Sequence, residues 1–233
     1  MAVLAAGLFW AASAMAQSSE TNFTFSVNQP IPDGNPNGMA LATNLAGMSG
    51  TINNVTASLN ISGGYNGDLY AYLVGPNGGF AVLLNRVGVS NSTSAFGYSD
   101  SGMNVTFSDS AANDIHYYQN VGGYSLTGTT WQPDGINIDP QSDPNAFSSA
   151  PQTAMLSSFD NDNPNGQWTL FLADLSSGGQ ATIVSWSLDI VTTVPEPSVC
   201  ALIGLGGLCL AVAMHRSRDN RKNKLFRRWR SFE

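Results

Sequence analysis

Asn54-Val55-Thr56-Ala57-Ser58-Leu59-Asn60-Ile61 is apolar at every second position, so Val55, Ala57, Leu59 and Ile61 share one face and Asn54, Thr56, Ser58 and Asn60 the other. A period of two places successive side chains on opposite sides of an extended strand, with one side buried. The pattern recurs along the chain. Leu69, Ala71 and Leu73 are interleaved with Tyr70 and Tyr72, and Trp168, Leu170 and Leu172 oppose Thr169 and Phe171. Val184, Trp186, Leu188 and Ile190 oppose Ser185, Ser187 and Asp189. No stretch between residues 17 and 193 holds the i, i+3, i+4, i+7 spacing of an amphipathic helix. Short alternating runs bounded by Gly, Asn, Asp and Pro predict an all-β body of two packed antiparallel sheets, with Trp168 and Trp186 as inner-face anchors.

Between the runs, Asn35-Pro36-Asn37-Gly38, Pro76-Asn77-Gly78 and Asn163-Pro164-Asn165-Gly166 read as tight turns, because Pro presets φ and Asn or Gly accepts positive φ. Residues 119–153 break the alternation. They are rich in Gly, Pro and Asp, and carry Tyr124, Trp131, Ile136, Ile138 and Phe147. A structureless loop of that length is rare in a compact domain, so a partly ordered excursion that packs its aromatic residues on the sandwich is expected. It is also the first candidate for a recognition surface.

Charge divides the 233-residue chain sharply. Charged residues make up only 11% of it, and the net charge of −7 separates into an acidic body and a basic end. Arg86 is the only Lys or Arg before Arg216, against fourteen acidic residues between Gln17 and Pro197. Such a body lacks the cationic face that nucleic acid requires. The two cysteines, Cys200 and Cys209, lie in the C-terminal apolar run, so the body contains no disulfide and must be held by burial.

Both ends read as delivery segments. Residues 1–16 are apolar and close on Ala14-Met15-Ala16, a small-x-small signature of signal peptide cleavage, although no Lys or Arg precedes the run. A buried N-terminal helix is the other reading. At the C-terminus, residues 194–233 contain Pro195-Glu196-Pro197, an uncharged run over 198–214 that contains Gly204, Gly206 and Gly207, and a basic tail over 215–233. The run is near the lower length limit of a transmembrane helix, and the positive tail would stay cytoplasmic. This order of parts resembles the PEP-CTERM sorting signal of Gram-negative-type bacteria. The resemblance implies handling by an exosortase-type membrane enzyme and a destination in the cell envelope, cell surface or extracellular matrix. A plain membrane anchor is the alternative.

Four stretches of the body resemble the P domain of kexin-like and bacterial subtilisin-type proprotein convertases. They are Ile31-Pro32-Asp33; Gly67-Asp68-Leu69 with Leu73-Val74-Gly75-Pro76-Asn77-Gly78 and Val82-Leu83-Leu84; Val105-Thr106-Phe107-Ser108-Asp109-Ser110-Ala111; and Asn165-Gly166-Gln167-Trp168-Thr169-Leu170 with Asp174, Gly178-Gly179 and Ser185-Trp186-Ser187-Leu188. Over residues 30–191 the resemblance implies a jelly-roll-like sandwich that accompanies a protease domain without cutting. Position 75 is Gly where the family usually has Ser, and the excursion at 119–153 is longer than in the family.

Catalysis finds little support in the residues. The body has one histidine, His116, expected on the surface or in a loop, and no Gly-x-Ser-x-Gly elbow. One histidine and no body cysteine do not make a zinc set. Calcium takes oxygen ligands, and Asp160-Asn161-Asp162-Asn163 with Asp109 or Asp114 is the richest candidate for a structural ion, the alternative being a solvated turn. The expected function is a non-catalytic structural, adhesive or interaction module of the envelope. Two alternatives stand beside it: an accessory acting in trans on a separate subtilase, and a module binding glycan or matrix polysaccharide through loop aromatics such as Tyr117, Tyr118, Tyr124 and Trp131.

Overall fold

A computed structural model describes residues 17–194 and, toward the C-terminus, residues 206–207, 210 and 212–216. Residues 18–194 form one compact unit. It is a β-sandwich of nine strands: β1 Gln17–Pro30, β2 Asn35–Leu45, β3 Thr51–Gly63, β4 Leu69–Val74, β5 Phe80–Asn85, β6 Met103–Phe107, β7 Thr127–Trp131, β8 Gly166–Asp174 and β9 Ala181–Val194. One sheet runs β1-β9-β3-β6-β7 and the other β2-β8-β4-β5. The signal peptide reading, Ala14 and Ala16 included, lies outside the described residues, as do Pro195, Glu196 and Pro197 and most of 198–214. The few described residues beyond 200 are helical. No helix among the described residues is long and apolar enough to cross a membrane.

The alternation read from residues 54–61 sets the core. Val55, Ala57, Leu59 and Ile61 of β3 point inward beside Trp186, Leu188 and Ile190 of β9. They meet Leu69, Ala71, Leu73, Trp168, Leu170 and Leu172 of the opposite sheet. Each large apolar side chain so buried contributes about 2 kcal/mol. Trp168 is fully buried, tilts against Phe159 at 4.9 Å and donates its indole N–H to the Pro164 carbonyl at 2.9 Å, which satisfies its one polar atom inside the core.

Several details differ from the sequence reading. In β9 the register slips opposite Asn60 and Ile61, where Ser185 and Ile183 are the partners. The extra residue is Val184, so Ile183 and Ala181 face the core and Val184 does not, because a bulge inverts the parity of every residue beyond it. Asn35-Pro36-Asn37-Gly38 is not a turn between strands. It is an irregularity inside β2, between Asn35 and Met39, and Gly38 has φ +50°. A Cβ on Gly38 would strike the Leu172 carbonyl and the Phe171 ring, so only glycine fits there. Pro76-Asn77-Gly78 does form the β4–β5 hairpin turn, closed by Gly75 and Gly79 at 2.9 Å.

The strands are not all antiparallel: β7 joins β6 in parallel. β1 also extends the sandwich before the stretch that carries the P-domain resemblance. Phe23, Phe25 and Val27 of β1 alternate with polar residues and pack on the core, and the Phe25 ring lies 4.6 Å from that of Trp186. The excursion, expected to be partly ordered, carries strand β7 and short helical turns. Its backbone bonds to β5 through Gly135 N–H to Val82 O at 2.9 Å, and just after it Ala154 O accepts the Val82 N–H at 2.9 Å, so the β5 edge is covered. Ile136 and Phe147 form a small second core with Val89.

Candidate functional site

The loops β1–β2, β3–β4, β5–β6 and β8–β9 gather at one end of the sandwich, as a set of short contacts shows. Gly178 N–H donates to Asp33, Asn66 Nδ2 donates to the Gly102 carbonyl, and Gly67 N–H donates to the Tyr98 carbonyl at 2.8 Å. Gly67, the glycine of Gly-Asp-Leu, passes against the backbone of residues 96–98, where any Cβ would collide with Phe96 O and Tyr98 N. That close approach pins the β5–β6 loop over the β3–β4 loop. Asn91 caps the 3-10 turn Ser92–Ser94 by accepting from the Thr93 and Ser94 N–H groups, and the chain emerges with Phe96 outward.

A cleft of about 260 Å³ results, lined by Tyr65, Asp68, Phe96, Tyr98, Ser176 and Ser177. Phe96 is 76% exposed and Tyr65 45%, while Asp68 beside them is only 6% exposed. Large exposed rings around a buried carboxylate are the pattern of a recognition site rather than of a core. A wider opening of about 490 Å³ lies between β1 and β2, lined by Phe25, Leu41 and Trp186 among others, but none of its lining side chains is titratable.

The floor of the cleft is electrostatically tense. Burial pushes the Asp68 carboxyl above its usual range, against a side-chain hydrogen bond from Ser176 and the charge of Arg86, and Asp33 adds to the rise. Asp174 is fully buried, and burial lifts its pKa to about 6 despite the Ser176 N–H, with Asp68 and Asp33 repelling it further. Its Oδ2 accepts no hydrogen bond. Arg86, the one cation of the body, donates to the Ala95 carbonyl at 2.7 Å. Asp33, Asp68 and Asp174 come from three separate motifs of the P-domain resemblance, and the fold brings them together.

His116 is not a surface residue. It is fully buried in the 3-10 segment Ile115–Asn120, with Nδ1 2.7 Å from Asp134 and Nε2 2.8 Å from the Val89 carbonyl. Burial pulls its pKa down, but the Asp134 charge and hydrogen bond outweigh that and leave it raised. Tyr117 packs edge-on against its ring at 4.6 Å. Both ring nitrogens are committed to internal partners, so the group orders the excursion and offers no lone pair to a substrate.

Trp131 is not a ligand platform. The register Phe107↔Trp131 turns it inward, it is 3% exposed, and its indole N–H is shared between Thr129 Oγ1 at 3.0 Å and Ser125 O at 3.2 Å. Tyr118 is likewise buried. Tyr124 is 37% exposed and donates its hydroxyl to Asp100 at 3.2 Å. The calcium candidates are brought only partly together. Asp109 accepts the N–H groups of Leu156 at 3.0 Å and Ser157 at 2.7 Å, capping the 3-10 turn Leu156–Phe159, and lies near enough to Asp160 to add to the rise that burial causes in its pKa. Asp162 meets β3 through its backbone, its carbonyl accepting the Ile52 N–H at 2.9 Å. Among the described residues no group of three or more His, Cys, Asp or Glu side chains is placed to hold a metal ion.

Sequence reasoning missed the cleft. Tyr65 and Phe96 belong to no motif, and only Gly67-Asp68-Leu69 gave a signal nearby. No protein-family model matches the chain. No curated protein matches it either. Among solved structures it is similar to the crystal structure of Aeromonas sobria serine protease in complex with the chaperone ORF2, at 15% identity and TM-score 0.43 over 77% of this chain and 28% of that one. It is similar to the crystal structure of the Aeromonas sobria serine protease at 14% identity, TM-score 0.43 and the same coverage. The chain spans under a third of the length of either neighbour.

Proposed function

We propose that the chain is a non-catalytic interaction module of the cell envelope or extracellular matrix, exported through residues 1–16, sorted through residues 194–233 by an exosortase-type enzyme, and binding its partner in the Tyr65–Phe96 cleft. The observation that carries this reading is the pairing of the two most exposed aromatic rings of the sandwich with a buried carboxylate in one cleft. The locked His116 supports the non-catalytic part.

The test is retention. The full chain carrying Tyr65→Ala and Phe96→Ala should still be exported and folded but should wash out of the envelope and matrix fractions. Retention equal to that of the parent refutes the reading. Intact-mass analysis of the recovered protein tests delivery, which requires loss of residues 1–16. An accessory role toward a separate subtilase, which the residue resemblance over 30–191 raises, requires that a pull-down recover such a protease.

A further inference from the structure

We infer that the Tyr65–Phe96 cleft recognises a cationic side chain, a guanidinium presented by a peptide, held between the two rings and the Asp68 carboxylate. The inference rests on the reading of this cleft as the binding site and adds the class of ligand. Three features point to it.

The first is charge. Asp33, Asp68 and Asp174 lie within electrostatic reach of one another, and Arg86, the only Lys or Arg of the body, acts on Asp68. Its Nη2 is already bound to the Ala95 carbonyl. Asp68 stands on the cleft lining and is 6% exposed, so a cation entering there meets a carboxylate that water screens poorly. Asp174, fully buried with Oδ2 unpartnered, adds negative potential from behind.

The second is the wall chemistry. Phe96 and Tyr65 present ring surface at 76% and 45% exposure, and an aromatic face attracts a cation through its quadrupole. Guanidinium is planar, weakly hydrated and suited to stacking while it donates N–H groups sideways to a carboxylate. Ser176 and Ser177 supply hydroxyls at the same rim.

The third is the backbone that holds the walls. The contact of Gly67 with residues 96–98 fixes the backbone that carries Phe96, and the Tyr65 ring packs over Gly179. The Tyr65 ring and the backbone under Phe96 are therefore placed before a ligand arrives, which lowers the cost of ordering the site. A neutral sugar would also stack on these rings, but it would bring no charge to Asp68, which Arg86 alone opposes. Charge thus decides between the two.

The experiment uses the full chain and two probes, N-acetyl-arginine N-methylamide and its citrulline counterpart, which has nearly the same shape and no charge. Binding is read by calorimetry at low and high salt. The arginine probe should bind, weaken with salt, and exceed the citrulline probe at least roughly tenfold, the size of a lost charge-assisted hydrogen bond. Phe96→Ala should weaken the arginine probe about threefold to thirtyfold, the range of one cation–π contact, with unchanged thermal unfolding because Phe96 is exposed. Equal affinity for both probes overturns the inference but leaves the cleft as a site for a neutral ligand. Arginine binding indifferent to both Phe96→Ala and Tyr65→Ala places the cation elsewhere on the acidic body and overturns it as well. If neither probe binds while the double variant still loses retention in the envelope, the ligand class is wrong and the proposed function stands. If retention is also unchanged, both fall.

Discussion

Replacing Asp174 by Asn should flatten the pH dependence of stability. The carboxyl is fully buried at the end of β8, receives one long hydrogen bond from the Ser176 N–H at 3.4 Å, and has an unpartnered Oδ2. Burial, opposed by that N–H and aided by Asp68 and Asp33, holds its pKa at about 6 rather than 3.8. Between these values the folded state keeps a proton that the unfolded state has released. The residue's contribution to stability is therefore fully present below about pH 4 and is lost as pH rises through about 6. At roughly 1.4 kcal/mol per pH unit the loss amounts to about 3 kcal/mol, an upper bound for a group this buried. Other groups act in the same direction. Burial first, then the neighbouring Glu20, lifts Asp189 to about 6, and burial raises Asp68. His116, with its raised pKa, stabilises below about pH 6.5 and ceases to do so as pH rises through its folded value. The parent protein should thus be more stable at pH 5 than at pH 8. Between pH 5 and pH 8, which covers about one unit below the folded pKa, Asp174→Asn should be less dependent on pH by about 1.4 kcal/mol, and it should be more stable than the parent at pH 8. Urea unfolding of the full chain across this pH range, followed by the fluorescence of the buried Trp131, Trp168 and Trp186, measures it. Parallel stability curves for parent and variant would show that Asp174 is already ionised in the folded protein, and the argument from burial would fail.

Two further substitutions separate structural from binding roles. His116→Ala strands the fully buried Asp134 carboxylate and should cost about 3 kcal/mol in thermal or urea unfolding, while the affinity of the arginine probe stays unchanged. A loss of affinity at full stability would instead give the pair a functional role. Trp131→Ala should cost about 4 kcal/mol, since the indole is a core side chain, and any loss of glycan or matrix binding should track the fraction unfolded. Selective loss of binding by a fully folded Trp131→Ala variant would restore it as a ligand residue.

How much of this was legible depends on whether a feature is local. The period-two runs at Val55–Ile61, Leu69–Leu73 and Trp168–Leu172 gave the inward faces correctly, because alternation is a property of consecutive residues. The β9 parity error at Val184 arose because a bulge is set by the partner strand: the slip appears only in the pairing of Asn60 and Ile61. Trp131 failed for the same reason. Nothing in residues 127–131 announces that they dock in parallel on β6 and turn the indole inward. His116 reads as a surface or loop residue, but it is buried within a 3-10 segment. Its burial follows from Asp134, eighteen positions later in sequence, and from the Val89 carbonyl.

The cleft is the extreme case, and it shows what kind of information a single sequence withholds. Asp33, Asp68 and Asp174 were each visible within a quoted motif, but their mutual repulsion exists only after β1, β4 and β8 have brought three loops to one end. Tyr65 and Phe96 look like any loop aromatics until Gly67 lets the backbone of residues 96–98 approach, which brings both to the lining of one cleft with Asp68. The exposed rings are one cost at this end of the sandwich, and the unpartnered Asp174 oxygen is another, alongside the unpartnered Asn66 Oδ1, Asn85 Oδ1, Arg86 Nε and Asp189 Oδ1. The cationic ligand proposed above would cover the rings and oppose the charge of Asp68, the one carboxylate on the cleft lining. A purely structural module would gain stability by covering the rings, so their exposure beside Asp68 supports the binding reading.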